Sequence, residues 1–457
     1  MSTLDRTSNL SKLKSNPPPG PKARLISGVM RDYQADPLGF TTRCAREFGD
    51  IVSARFLYVP CFFIFHPDYI EQILVAQQRN FIKSVSLQTP FMRRLVGNGL
   101  LSSEGEFWKR QRRLAQPAFH RERMHGYTQT MSAYTERMLA QWHAGETRDI
   151  HEEMMQLTLE IVAKTLFDAD VTSTAKEVGE LLSIIVEPFS YQASFKWILD
   201  NRLPTPAHRR FHRTAQRLDE IIYSIINERR AQQTDRGDLL SMLLAAQDED
   251  GGHMTDKQLR DEAITIFLAG HETTAIAMSW TFYLLAEAPA VEEKLLAELQ
   301  AVLGGRTPQM SDLPNLKFTE QIIKEAMRLY PPAYAIGRQA REDFELGGYR
   351  LPAKSQVFMF PYVTQRDPRF FPEPENFLPT RWTEEFTKQL PRYAYYPFGG
   401  GPRLCIGNSF ALMEAALILA TIAQKFRLHL APGQTITPLP SVTLRPANGI
   451  KMTLLPR

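Results

Sequence analysis

The stretch that most constrains this chain is the glycine-rich segment from Phe398 to Gly407, which reads FGGGPRLCIG. It places Cys405 just before an apolar run, Asn408 to Gln424, whose composition predicts a mostly buried helix. Glycines allow backbone N–H groups to turn toward the sulfur, and a helix N-terminus favours negative charge, so we expect a lowered thiol pKa. A thiolate placed in this way is a metal ligand. For an isolated cysteine the competing interpretation is a buried structural residue.

The spacing within this segment favours the ligand interpretation. Five positions of a fixed pattern are occupied by Phe398, Gly401, Arg403, Cys405 and Gly407, which chance would produce in this chain about once in ten thousand trials. The segment resembles the heme-ligand loop of the cytochrome P450 family. The resemblance implies that Cys405 is the axial iron ligand of heme b (iron protoporphyrin IX), and that Phe398, Arg403 and Gly407 contact the cofactor.

Composition bounds the remaining possibilities. The 457 residues are 43% apolar and 23% charged, which is typical of a soluble globular protein and excludes disordered and fibrous classes. A net charge of +4 does not indicate a nucleic-acid partner. Residues 1–16 are polar, so we expect a disordered tail without a signal peptide or membrane span, and a cytoplasmic protein. Cys44 and Cys61 are interpreted as inert thiols of a reducing compartment, with a disulfide between them as the alternative.

The segment from Glu106 to Phe119 places Trp108 and Arg112 four residues apart, on one face of a predicted helix. Both side chains are pure hydrogen-bond donors, as needed to fix a carboxylate. A solvated basic helix with one buried tryptophan is the competing interpretation. The segment resembles the family's helix that donates to a heme propionate, and Arg338 matches a further propionate donor.

Thr255 and Gln258 form a predicted capping box for a long helix that reaches Ala286. Its apolar character all round indicates burial, and the polar Gly270–Thr274 stretch argues against a membrane helix. We expect the Thr273 hydroxyl to bond to a carbonyl one turn back. The stretch resembles the family's oxygen-activating segment, which implies that Glu272 and Thr273 are the catalytic acid and alcohol and that Ala269 adjoins the heme. His271 is interpreted as structural.

Glu325 and Arg328 lie three residues apart on a predicted helix that ends at Pro331. A surface salt bridge is the plain interpretation of such a pair. The pair also matches the family's buried Glu–Arg pair, which implies a structural triad with Arg381. The family's usual glutamate before that arginine is replaced here by Thr380.

The fold class that follows is mainly α (α+β), with a large helical domain around the heme and a small N-terminal β-rich subdomain. We expect one cytochrome P450 domain from residue 17 to 457, with its β-rich part at about 35–70, 335–365 and 427–457. By resemblance, the predicted substrate pocket contains Leu87, Phe91, Phe267, Ala333, Ala335 and Val442. Phe189, Phe195 and Trp197 are further predicted pocket residues.

The resemblance covers residues 17–457 and implies a soluble, bacterial-type heme-thiolate monooxygenase. Such an enzyme inserts one oxygen atom of O2 into an apolar substrate, such as a fatty acid or a terpenoid, by hydroxylation or epoxidation. We expect no fused reductase, so electrons would come from a separate ferredoxin, flavodoxin or flavoprotein reductase. Two other functions compete: a heme-thiolate isomerase or dehydratase, and a non-catalytic heme carrier or sensor. The presence of Glu272 and Thr273 favours the monooxygenase.

Overall fold

The computed structural model describes residues 17–168, 177, 179, 181, 184, 205–232, 236–247 and 251–457. The predicted disordered tail at residues 1–16 and the predicted pocket residues Phe189, Phe195 and Trp197 lie outside the described residues.

Helices dominate the described chain, as the predicted fold class requires. The α-helices are α1 Met30–Ala35, α2 Pro37–Phe48, α3 Pro67–Glu71, α4 Pro90–Val96, α5 Gly105–Ala115, α6 Arg121–Leu139, α7 Ile150–Phe167, α8 Pro206–Gln232, α9 Leu239–Ala245, α10 Asp256–Ala286, α11 Pro289–Leu303, α12 Lys317–Leu329, α13 Pro361–Thr364, α14 Glu384–Gln389 and α15 Asn408–Lys425. A π-helical turn spans Gln72–Ala76, and 3-10 turns span Gln78–Asn80, Val85–Gln88, Gln116–Phe119, Leu313–Asn315, Pro379–Arg381, Arg392–Ala394 and Gly401–Arg403.

The strands are short. They are β1 Ile51–Phe56, β2 Val59–Ile64, β3 Phe81–Lys83, β4 Thr147–Asp149, β5 Ile336–Ala340, β6 Phe344–Leu346, β7 Tyr349–Leu351, β8 Gln356–Met359, β9 Phe426–Leu430, β10 Pro438–Pro440, β11 Leu444–Pro446 and β12 Lys451–Pro456.

The chain forms two compact units, and the first contains the residues up to Thr89, Tyr334–Pro374 and Gln389–Leu404. Its main sheet has the strand order β1-β2-β8-β5-β3. β1 and β2 form an antiparallel hairpin, whereas β2 pairs with β8 in parallel from Cys61 onward. Pro60 precedes that parallel pairing, so its missing N–H removes no bond from the β2–β8 ladder.

Alternating residues of β2 serve two different hydrophobic cores of the first unit. Phe62 and Ile64 belong to one buried cluster, and Cys61 and Phe63 belong to the other. This alternation is the period of two that a strand imposes on its side chains. Cys44 and Cys61 are both buried free thiols in the second of these clusters, so the disulfide alternative is wrong.

The second unit contains Pro90–Ala333, Glu375–Lys388 and Cys405–Arg457. Helix α10 is its central element and contacts α7, α8, α12 and α15. The predicted capping box is confirmed: the Gln258 N–H donates to Thr255 Oγ1 and the Thr255 N–H donates to Gln258 Oε1. The strand order β4-β12-β9 gives this unit a separate three-stranded sheet, and β10 and β11 form a hairpin. The predicted single domain from residue 17 to 457 stays a prediction.

No helix among the described residues combines the length and the apolar character that crossing a membrane requires.

Candidate functional site

The glycine-rich loop before Cys405 depends on glycine at Gly401. Its φ is +63°, and a Cβ built there would lie 1.9 Å from the carbonyl oxygen of Leu74. No other residue fits without moving backbone, so the loop is held close to the π-helical turn. The Gly401 N–H donates to the Tyr393 hydroxyl at 3.2 Å. Phe398 and Arg403, which were predicted to contact the cofactor, are partly buried in the same unit.

Cys405 itself belongs to the second unit and lies three residues before α15. Its surface is solvent-exposed, yet desolvation by surrounding protein is the largest influence on its pKa. Because Cys405 is exposed, a ligand can reach it even though protein surrounds much of the residue. Burial raises the thiol pKa overall, while the N–H of Gly407 and the charge of Arg112 lower it. The predicted net lowering is therefore wrong for the protein without metal, because desolvation outweighs both effects.

Trp108 and Arg112 lie on one face of α5, as their spacing predicted. The guanidinium carbon of Arg112 is 5.9 Å from the centre of the Trp108 ring, and Trp108 is buried. Desolvation lowers the pKa of Arg112 and the nearby Cys405 thiol opposes that shift. The solvated basic helix is thus excluded for this pair, whereas Lys109 and Arg113 are exposed. The second unit brings a tryptophan donor, a guanidinium and a thiol together.

The middle of α10 is exposed to solvent, whereas the residues before and after this segment of the helix are mostly buried. We call this segment the open surface of α10. Ala269 is exposed, and Gly270, Glu272 and Thr273 are partly exposed. The predicted local bond is confirmed: Thr273 Oγ1 donates to the carbonyl oxygen of Ala269 at 2.7 Å. Such bonding bends helices and, together with the small Ala269, leaves space on the exposed side of the backbone. Gly270 instead packs against α7, where an added Cβ would lie 3.3 Å from Val162 Cγ2.

Glu272 has a side-chain partner that sequence reasoning missed. Thr443 Oγ1 donates to Glu272 Oε1 at 2.7 Å. Burial raises the pKa of Glu272, while Thr443 and Arg445 lower it, so the neutral acid is favoured more than in water. No sequence signal identifies Thr443, because it lies 171 residues from Glu272.

His271 faces away from this open surface and is fully enclosed. Burial lowers its pKa to about 4, and a backbone group at Met155 is its partner. Its own carbonyl oxygen accepts a hydrogen bond from Thr158 Oγ1 at 3.0 Å. A neutral histidine packed against α7 in this way has a structural role.

Glu325 is the centre of a buried network that confirms its predicted contacts with Arg328 and Arg381. Arg328 donates twice to the Glu325 carboxylate, each bond at 2.9 Å, and Arg381 Nε donates at 3.0 Å. The side chains of Glu325 and Arg328 have no exposed surface, which excludes the surface salt bridge. Trp382 Nε1 adds a bond of 2.9 Å that was not predicted, although this residue directly follows Arg381.

The predicted pocket residues occupy different environments. In the second unit, Phe91 stacks on Phe211 with 3.5 Å between ring centres, and Phe267 lies 5.9 Å from Phe167. Ala333 is partly buried there, whereas Val442 is 49% exposed. Their contact with substrate stays a prediction.

Three further predicted site residues belong to the first unit. Leu87 lies in a 3-10 turn, and Ala335 directly precedes β5. Arg338 is on β5, where its Nη1 donates to the carbonyl oxygen of Gly337 at 2.9 Å. All three are partly buried.

The residues of the second unit fit the heme that the loop implies. The exposed sulfur of Cys405 offers a soft axial ligand, and Arg112 and Trp108 beside it are donors suited to a propionate. Ala269 presents almost no side chain on the open surface of α10, which suits close approach of a flat ring.

Comparison with known proteins agrees with this chemistry. The family model described as Cytochrome P450 matches residues 17–454. Cyclooctatin synthase of Streptomyces melanosporofaciens is 41% identical over 90% of this chain and 89% of its own length. Pentalenene oxygenase of Streptomyces avermitilis is 35% identical over 96% of this chain and 97% of its own length.

The structure of cyanobacterial CYP120A1 with retinoic acid bound resembles this one with a TM-score of 0.88. It is 25% identical in sequence, and the match covers 97% of this chain and 100% of the other. The chain therefore belongs to the cytochrome P450 family: it is a monooxygenase that binds heme through a cysteine thiolate and hydroxylates apolar substrates with O2 and electrons from a separate redox partner.

Proposed function

We propose that this monooxygenase hydroxylates a cyclic terpenoid and that Cys405 is its thiolate ligand. The observation that carries the ligand assignment is the exposed sulfur of Cys405, since Cys44 and Cys61 are buried. The substrate class is supported by the relatives that act on terpenoids, among them the pentalenene oxygenase. Of the two classes that the sequence suggested, the terpenoid is thus favoured over the fatty acid.

In the second unit, Trp108 and Arg112 would donate to the heme propionates, as pure donors do to carboxylates, and Gly407 would contact the ring. The heme contacts of Arg338, Phe398 and Arg403 stay predictions from the resemblance. When bound, the heme supplies the activation of O2, and the thiolate favours O–O cleavage.

Proton delivery would be the task of the open surface of α10. Burial raises the pKa of Glu272, which favours the protonated carboxyl group that a proton donor needs. Thr273, whose hydroxyl is anchored to the Ala269 carbonyl, would keep a water molecule in the space beside the helix. Ala269 would leave room for O2. The two residues thus would provide a catalytic acid and an alcohol one residue apart.

Substrate would be bound by apolar side chains from several elements. Phe91, Phe267, Ala333 and Val442 of the second unit are candidates. Substrate contact by Leu87 and Ala335 stays a prediction from the resemblance. Val442 is the most exposed of them and precedes Thr443, the partner of Glu272. A ligand that contacts Val442 would therefore lie within reach of the proposed acid.

The electron donor would be a ferredoxin, a flavodoxin or a flavoprotein reductase, and the enzyme would work in the cytoplasm. Free thiols at Cys44 and Cys61 are compatible with a reducing compartment. The exposed cations Lys109 and Arg113 of the second unit are suited to an acidic docking surface on such a donor.

A ligand screen tests the substrate class. The heme-loaded enzyme is titrated with cyclic terpenoids and with fatty acids, and the low-spin to high-spin change of the heme spectrum reports binding. Ligands that bind are then incubated with a surrogate ferredoxin system and isotopically labelled O2. We expect label in a hydroxylated terpenoid and none with the Cys405→Ser variant. Turnover of fatty acids alone would contradict the proposed class.

A further inference from the structure

Thr274 is unlike the other hydroxyl-bearing residues of α10. Thr265, Thr273, Ser279 and Thr281 each donate to a backbone carbonyl oxygen. Thr274 is buried beside them, yet its Oγ1 has no hydrogen-bond partner among the described residues. A threonine inside a helix can usually donate to the carbonyl oxygen one turn back. Thr274 does not make this bond, so its hydroxyl is available to another polar group.

The polar group near the Thr274 hydroxyl is the carboxyl group of Glu414 on α15. Its side chain is 0% exposed, and both carboxyl oxygens lack a hydrogen-bond partner within the described chain. The Thr274 hydroxyl faces the carboxyl closely enough to lower its pKa, although the pair does not meet the geometry of a direct hydrogen bond. Both side chains therefore contain buried polar atoms that still need hydrogen-bond partners.

Three buried oxygen atoms, Thr274 Oγ1 and the two carboxyl oxygens of Glu414, therefore lack hydrogen-bond partners where α10 and α15 pack together. Buried polar groups in proteins are almost always hydrogen-bonded, and a water molecule serves where two to four polar atoms surround a small space. Burial raises the pKa of Glu414 to about 8, so the acid is neutral at neutral pH and can both donate and accept. Thr274 likewise can donate and accept.

We propose that Thr274 and Glu414 bind one buried water molecule between α10 and α15. We further infer that Glu414 acts through this water as a positioning residue for the turn of α10 that carries Thr273. Thr274 directly follows Thr273, and α15 begins three residues after Cys405. The water thus ties the helix that follows the thiol to the helix that bears the acid and alcohol.

Four substitutions in the heme-loaded enzyme test this proposal. Glu414→Gln keeps a neutral group of the same shape with both a donor and an acceptor. Glu414→Leu removes both, and Thr274→Val removes the hydroxyl with little change in volume. Thr421→Val is the matched control: Thr421 is also buried on α15, and its hydroxyl bonds to the Leu417 carbonyl.

The first measurement is crystallographic. We expect a water molecule bonded to Glu414 and Thr274 in the wild type, in Glu414→Gln and in Thr421→Val, and none in Glu414→Leu. A direct bond between the two side chains, or a dry gap in the wild type, would overturn the proposed water site. The infrared difference spectrum between the wild type and Glu414→Gln at neutral pH should show the loss of one protonated carboxylic acid band in the variant. A difference spectrum without that loss would show that Glu414 is an ionised carboxylate in the wild type.

The second measurement is amide hydrogen exchange of the peptide that spans 269–274. We expect Glu414→Leu and Thr274→Val to speed its exchange severalfold, and Glu414→Gln and Thr421→Val to leave it unchanged. Equal acceleration of exchange in all four variants would indicate general loosening of the fold and would contradict the positioning role. Unchanged exchange in every variant would contradict it as well. Neither measurement needs a substrate, so they remain decisive even if the proposed substrate class or the role of Thr273 fails.

Discussion

Single residues of the site show where sequence reasoning succeeds and where it fails. The Thr273 bond was predictable, because its acceptor lies four residues back in the same helix. The pKa of Cys405 was not, because its largest influence is desolvation by protein that the loop sequence does not reveal. Thr443 was missed for a similar reason, since only the fold brings it to Glu272. Interactions between residues close in sequence could be predicted, whereas contacts that only the folded chain brings together could not.

The ligand assignment is tested by replacing the sulfur. In Cys405→Ser an alcohol replaces the soft thiolate, so we expect the red-shifted Soret band of the reduced carbonyl complex to disappear. The absorption spectrum of the reduced protein under carbon monoxide measures this. Cys44→Ala, which changes a buried thiol of the first unit, is the control and should keep the band. A red-shifted band in Cys405→Ser would assign the axial ligand to another residue.

The proposed role of Thr273 predicts uncoupling. In Thr273→Ala the hydroxyl anchored to the Ala269 carbonyl is lost, so protons should reach the oxygen site with less control. We expect O2 uptake to remain near that of the wild type while product falls by about 10²-fold, the lower end of the range for a positioned proton-transfer group. Peroxide formed per electron pair consumed is the measurement. Thr281→Val, a buried threonine two turns on that also bonds to a carbonyl, is the control.

Among the elements, α10 is the one whose sequence was most informative. Its capping box, its length and its buried character follow from local pattern, because each depends on neighbours within one or two turns. The loop that packs on it was not predicted. Asp261 and Glu262 accept the N–H groups of Asn98 and Leu100, each at 2.9 Å, and the sequence gives no sign of those partners.

The contact of Glu262 on α10 with this loop should make the free energy of unfolding depend on pH. Burial raises the pKa of Glu262 from 4.5 to about 8, with Asp261 adding to the shift and the Leu100 N–H opposing it. The folded state therefore keeps a proton that the unfolded state loses above about pH 4.5. The contribution of Glu262 to the free energy of unfolding should be fully present below that pH, fall by a few kcal/mol as the pH rises to about 8, and then level off.

Replacing the carboxyl group isolates this effect. Glu262→Gln has no proton to lose, so the pH dependence of its unfolding free energy between about 4.5 and 8 should be flatter than that of the wild type. Urea unfolding across this pH range measures the difference. Glu106→Gln, on the exposed face of α5, is the control and should follow the wild-type curve. Identical slopes for Glu262→Gln and the wild type would show that Glu262 ionises normally.

For the whole molecule, the sequence predicted a mainly helical fold with a small β-rich part, and the structure agrees. It did not predict the pairing of β4 with β12, whose residues lie about 300 positions apart. Pairings at such separation depend on the folded chain as a whole, because local pattern identifies a strand but not its partner. The Glu325 network is an exception, since the resemblance supplied its distant member, Arg381.

The Glu325 network should govern the stability of the entire second unit. In Arg381→Met the Glu325 carboxylate loses one of its two cationic partners while it stays fully buried, and Arg328 alone must neutralise it. Breaking a buried ion pair costs on the order of 3 to 5 kcal/mol, so we expect the unfolding free energy to fall by about that amount. The fraction of protein that retains heme should fall with it.

Chemical denaturation and the ratio of heme to protein after purification measure both effects. Lys388→Met is the matched control, because Lys388 pairs with Glu384 on the exposed surface of α14, 3.6 Å apart, where an ion pair adds little. If the stability and heme content of Arg381→Met equal those of the control, the remaining donors satisfy the carboxylate: Arg328, Trp382 and the Leu378 N–H, which donates to Glu325 Oε1 at 3.0 Å. In that case Arg381 is dispensable to the network.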